Sequence, residues 1–272
     1  YWRGFHIINV GYFLNAVLPF RIGEFARILL VSREPEQNIG VGLSAVTVER
    51  LFDLMMALLC VGLGLALVPE SKTLPQDARE GLGFFIVITV MGGLVLLALP
   101  RSHPILMHIA RLVTRPLPGS IGGLLVGFAE DTLNSLRAIS DLRILLEMLV
   151  WSLVTWCSYV GFFYIGLFSF FDSVNIGVGF LVTGFVAVGI AAPSLPGAIG
   201  IFQAAAVLAL STAGYDTAAA TGYAWTLWIV QTVAILAGGV VGLWAMSLSF
   251  TGLTQDVREN IEKLDVHQTA PE

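Results

Sequence analysis

LPFRIGEF, Leu18 to Phe25, returns in altered form as LPGAIGIF, Leu195 to Phe202. Leu, Pro, Ile, Gly and Phe recur at the same offsets. In both places Pro and Gly interrupt an apolar stretch that is otherwise long enough to enter a bilayer. Two interrupted membrane segments in corresponding halves of a chain are the sequence mark of a transporter's binding site, because each break leaves helix ends and freed backbone groups at membrane depth.

Working outward from the first copy, residues 5–18 form an apolar stretch too short to span comfortably, and residues 20–31 beyond Pro19 are shorter still. Together they fit a hairpin that enters the membrane and returns. A long span follows at about 40–68, carrying Glu49, Arg50 and Asp53, then a polar loop, then a clean span at about 82–99. Between 101 and 143 apolar residues at helical spacing alternate with five arginines, the pattern of amphipathic helices lying on the membrane surface. Another span is expected at 144–170. The second broken segment occupies 176–212, interrupted by Pro193 and Pro196, and the last span covers 218–246 before a polar tail at 250–272.

Composition agrees with this reading. Hydrophobic residues make up 56% of the 272 and charged ones 12%, against about 25% charged in soluble domains. The mean hydropathy is +0.84. At about 20 residues per spanning helix, the expected fold class is an all-α polytopic membrane protein. It forms a single transmembrane domain over 1–272, built as an inverted repeat with two discontinuous, re-entrant helical hairpins.

The net charge of −5 owes much to the C-terminal tail and argues against nucleic-acid binding. Cys60 and Cys157 both lie in apolar runs and read as buried thiols, without disulfide or metal spacing. No metal and no cofactor are expected. The chain opens at Tyr1 without Met or a recognisable signal peptide, which reads as a fragment that has lost upstream helices.

Orientation follows from the basic residues, since basic flanks resist translocation. If neither hairpin makes a net crossing, one face collects Arg3, Arg33, Arg101, Arg111, Arg115, Arg137, Arg143, Arg258 and Lys263, and the other only Lys72 and Arg79. The Arg-rich loop and the C-terminus are therefore assigned to the cytoplasm. Three crossings then separate the hairpins, which enter from opposite sides.

The chemistry concentrates at the first break. Arg21, Glu24 and Arg27 are three residues apart and would form one stripe on a helix. Pro19 stands where that half-helix would begin, and its N-terminus would present N–H groups and a positive dipole end to an anion. An arginine within the bilayer costs at least about 2.5 kcal/mol, so these side chains must face protein or a wet cavity. Glu49 and Asp53, four apart, and Arg50 on the next span are the expected partners. Three arginines and three acids sum to zero, and a phosphate headgroup could displace a carboxylate from Arg21 or Arg27 by bidentate hydrogen bonding. The bland reading is an amphipathic stretch at the interface with snorkelling arginines.

Asn15 is expected to bond the backbone freed by the break. Gly23 and Gly200 complete the two breaks. In the second copy Ala198, Ile201 and Ala204 take the places of Arg21, Glu24 and Arg27, which leaves Gln203 as the strongly polar neighbour.

These residues carry a resemblance. N-x-x-LP-x-R-x-GE-x-x-R from Asn15 to Arg27, ER-x-x-D from Glu49 to Asp53 and P-x-x-PG-x-IG-x-F from Pro193 to Phe202 stand in the right order. The chain resembles the transmembrane flippase region of lysylphosphatidylglycerol synthases, a flippase-like family of integral membrane proteins. The resemblance implies an inner-membrane protein that moves lipids across the bilayer, in some members aminoacylated phosphatidylglycerol. It also gives Arg21, Glu24, Arg27, Glu49, Arg50 and Asp53 a headgroup role. Nothing here resembles the soluble aminoacyl-transferase domain.

The expected function is thus a lipid flippase, not an enzyme, with no GxxxxGK[ST] loop for ATP. The expected partners are membrane lipids, with no nucleic acid; a homo-oligomer or a lipid-synthesising partner enzyme are further candidates. A non-transporting scaffold acting through 101–143, or a lipid-modifying enzyme using Glu49 or Asp53 as base, are the competing readings. The second lacks an intramembrane His, an HExxH motif or a carboxylate cluster of metal-binding kind.

Overall fold

The computed structural model describes residues 2–19, 21–33, 39–68, 142–191 and 195–255, with single residues at 87, 112, 114 and 126. The expected span at 82–99 and the amphipathic stretch at 101–143 lie almost wholly outside the described residues, as do Pro193 and the tail beyond 255.

The described elements are helical, with no strand among them. They are α1 (Trp2–Val17), α2 (Ile22–Ser32), α3 (Ile39–Leu67), α4 (Leu142–Leu167), α5 (Ile176–Ala191), a 3-10 turn at Pro196–Ala198, α6 (Ile201–Thr212) and α7 (Thr217–Ala245). Among the described residues, Ala45–Leu67, Leu146–Leu167 and Thr217–Ala245 are long and apolar enough to cross a bilayer. The protein is an all-α polytopic membrane protein. Its long helices turn large apolar side chains outward, with Trp151 and Ile165 each 69% exposed, as a lipid-facing surface requires.

The chain divides into two compact units. The first comprises residues 1–42, 193–200 and 228–272. Its core joins Ile7, Val10 and Leu14 of α1 to Ala26 and Leu30 of α2, with Leu243 and Leu253. Residues 250–255 are helical and Leu253 is buried, so the polar tail starts later than its composition implies. Glycine sets how closely the helices approach. A methyl group on Gly239 of α7 would collide with Phe13 of α1, and one on Gly242 would stand 3.0 Å from Val10 Cγ2. Small residues at such crossings let backbones meet where no hydrophobic force drives helices together.

The second unit comprises residues 43–192 and 201–227. In it α5 is the central strut. A Cβ on Gly184 would lie 2.6 Å from the Val61 nitrogen on α3, and one on Gly179 2.8 Å from Tyr164 Cβ on α4. Asn175 fastens α5 to the end of α3: its Nδ2 donates to the Leu67 carbonyl at 3.1 Å and its Oδ1 accepts from Gly177 N–H at 2.7 Å. Tyr223, fully buried on α7, donates its hydroxyl to the Phe163 carbonyl at 2.8 Å.

Cys60 is buried, whereas Cys157 is exposed on α4. The expectation of two buried thiols holds for Cys60 alone, because hydropathy does not distinguish a lipid-facing position from a protein-facing one.

Candidate functional site

The first break follows from its residues. Pro19 lacks a donor and disfavours helical geometry at Leu18, so α1 ends at Val17, although Leu18 N–H still reaches the Leu14 carbonyl at 2.7 Å. The helix does not restart at Pro19 as expected but at Ile22, and Arg21 occupies its N-cap in the left-handed region, φ 56° and ψ 35°. Arg21 therefore stands outside the helix. The expected stripe of Arg21, Glu24 and Arg27 on one helical face is corrected accordingly, since a residue before the first turn does not share its periodicity.

The break nonetheless pairs two of the three. Arg21 Nη1 lies 3.2 Å from Glu24 Oε1, with the side chains 25% and 21% exposed. The Glu24 N–H donates to the Arg21 carbonyl at 2.9 Å, closing the same turn. Asn15, in the last turn of α1, accepts from Gly23 N–H at 2.8 Å. That bond satisfies one of the donors a helix start leaves open, as expected of Asn15. Gly23 also sits where the two helices touch: a methyl group there would strike the Gly11 carbonyl.

Arg27 takes a different position. It is 6% exposed, on the face of α2 turned to α1. A methyl group on Gly11 would collide with its Cγ and Cδ, so the stem lies flat on the glycine. Its Cζ stands 6.0 Å from the centroid of the Tyr12 ring. Gly11 and Tyr12 were not singled out from sequence. The signal available was a glycine four residues before Asn15, on the face that Asn15 also uses.

Glu49, Arg50 and Asp53 form a second cluster on α3. Arg50 reaches Glu49 Oε1 at 3.0 Å and Asp53 Oδ2 at 3.3 Å, all three about one third exposed. Both acids are engaged by Arg50 of their own helix. This cluster belongs to the second unit and the Arg21–Glu24 pair to the first.

The second copy of the motif reproduces the kink. Ala198, the match of Arg21, also has a left-handed backbone, φ 54°. Pro196 opens the 3-10 turn, and Gly197 and Gly200 have φ of 64° and 85°. Trp228 Nε1 holds the turn by donating to the Gly197 carbonyl at 2.8 Å. The repeated glycine does two jobs: Gly200 supplies a positive φ, while Gly23 supplies a close helix crossing. Gln203 is 7% exposed on α6. Among the described residues no group of His, Cys, Asp and Glu is placed to hold a metal ion.

These features define an integral membrane protein with two kinked helix breaks of matching sequence, the first furnished with buried and half-buried charge. The chain belongs to the family of the lysylphosphatidylglycerol synthase TM region, whose model matches residues 1–239 and so covers both breaks and Arg21, Glu24, Arg27, Glu49, Arg50 and Asp53. Neither the curated proteins nor the solved structures include a significant match.

Proposed function

We propose that this protein carries a lipid with a charged headgroup, such as aminoacylated phosphatidylglycerol, from one leaflet to the other, without modifying it. The carrying observation is the first hairpin, where a buried arginine, Arg27, lies on α2 close in sequence to the half-buried Arg21–Glu24 pair. In an apolar hairpin such charge is costly and marks a substrate path by default. Family membership supports a role in lipid metabolism or transport.

A phosphate would enter by displacing Glu24 from Arg21, exchanging one charge-assisted hydrogen bond for another. Arg27, occluded in this conformation, would be reached as the hairpin opens, and the acyl chains would stay in lipid throughout. Glu49, Arg50 and Asp53 provide a second cluster, with one more acid than base, that a positive group of the headgroup could engage. In this reading both hairpins are re-entrant and inverted, in the inner membrane with the C-terminus cytoplasmic, which gives alternating access its geometry. Energy comes from a gradient or from the lipid's own concentration difference.

The test is lipid movement in proteoliposomes with Arg21→Ala and Arg27→Met, the latter keeping most of the stem that packs on Gly11. Loss of movement in both folded variants is expected. Undiminished movement by Arg27→Met would remove Arg27 from the substrate path.

A further inference from the structure

Resting on that reading, we infer that Gln231 of α7 is a specificity-determining residue, whose side-chain oxygen accepts a hydrogen bond from a hydroxyl or ammonium of the headgroup. Gln231 stands at the centre of an apolar helix, where a polar side chain is stable only when its groups are satisfied. Among the described residues its Oε1 is shut off from solvent and accepts no hydrogen bond. An amide oxygen left in that state costs stability that an apolar side chain of similar shape would not.

The register of α7 brings Gln231 to the first break. At 3.6 residues per turn, Trp228, Gln231, Gly238, Gly239 and Gly242 fall within an arc of about 100°. That face docks on α1, where Phe13 crowds Gly239 and Val10 crowds Gly242, so the two helices run antiparallel. From Gly239, Gln231 lies about 12 Å along α7. Beyond Phe13, α1 continues for only about 6 Å before it ends at Val17. Gln231 therefore comes level with the turn that carries Arg21.

The second break meets the same end of α1. Trp228, nearly one turn from Gln231, donates to the Gly197 carbonyl at 2.8 Å, and a Cβ on Gly197 would stand 3.5 Å from the Ala16 carbonyl. Both turns and Gln231 belong to one compact unit. An arginine and a neutral acceptor at one depth match a phosphodiester and the donor carried on its alcohol. Phosphatidylglycerol supplies that donor as a hydroxyl and phosphatidylethanolamine as an ammonium. A buried water would satisfy the same oxygen, and headgroup chemistry would then not register at Gln231.

The experiment measures binding of tail-labelled phosphatidylglycerol, phosphatidylethanolamine and phosphatidylmethanol to detergent-purified wild type, Gln231→Met and Gln231→Glu. Movement of the same lipids in proteoliposomes is followed alongside. Phosphatidylmethanol has the phosphodiester without the donor. Wild type should bind at least one donor-bearing lipid about fivefold tighter than phosphatidylmethanol, the worth of one net hydrogen bond. Which lipid is preferred tells hydroxyl from ammonium. Gln231→Met should bring that ratio to about one by weakening the donor-bearing lipid alone, and should unfold at the same midpoint or a higher one. Gln231→Glu keeps an acceptor and should keep the ratio.

No preference in wild type, or an unchanged ratio in Gln231→Met, would overturn the assignment. So would an equal loss for all three lipids or a lower unfolding midpoint in Gln231→Met, since both mark a structural role. Gln231→Glu losing the ratio as Gln231→Met does would overturn it as well. If Gln231→Glu does not fold, Gln231→Met decides alone. If wild type binds these lipids but moves none, the carrier reading fails, and the binding ratios still decide Gln231.

Discussion

Arg21 and Ala198 hold nearly the same backbone conformation, φ 56° and 54°, at matching positions of the repeat. A left-handed residue with a Cβ costs about 1–2 kcal/mol, so both breaks carry strain that glycine would relieve. Ala198→Gly should raise stability by up to about 1 kcal/mol after the added flexibility of the unfolded chain is discounted, read as a higher unfolding midpoint in detergent. Asn15 works in the opposite sense. Removing its carbonyl leaves the Gly23 N–H without its 2.8 Å acceptor, and Asn15→Ala should cost about 1–3 kcal/mol in the same measurement. An unchanged midpoint would mean that another acceptor replaces Asn15. The two substitutions lie in matching breaks and test them with opposite signs.

At the level of helices, most boundaries were legible because apolar runs, Pro and Gly mark them directly. The spans expected at 40–68, 144–170 and 218–246 are the helices Ile39–Leu67, Leu142–Leu167 and Thr217–Ala245. What periodicity could not supply was the conformation inside the break: it placed Arg21 on a helical stripe, whereas Pro19 delays the helix to Ile22. Nor does it give the distances within the charged group of α3. Arg50 lies between Glu49 and Asp53 on one helix and contacts both. Gly11 and Tyr12 were invisible for a related reason, since their role depends on how α2 crosses α1. The glycines of α7 make the same point as a prediction. Gly239→Leu must displace Phe13 and should cost about 2 kcal/mol or more, whereas Gly161 of α4, with no atom within 4 Å of the place a methyl group would take, should accept Ala with little change. Equal unfolding midpoints for the two variants would show that the α1 crossing contributes nothing to stability.

For the molecule as a whole, membrane residence rests on composition, on the three long apolar helices and on family membership. The proposed carrier function rests on charge held at a break in an apolar hairpin. Transport and scaffolding make opposite demands on that charge. A scaffold is indifferent to Arg21 and Arg27 so long as the protein folds, while a carrier loses its headgroup contact. The most direct measurement is therefore transbilayer movement of headgroup-varied fluorescent lipids in proteoliposomes, comparing wild type with Arg21→Ala and Arg27→Met at matched reconstitution. Headgroup-selective movement by wild type, lost in both variants, is the predicted result; no movement of any charged lipid by well-folded wild type, or equal movement in all three proteins, would contradict it.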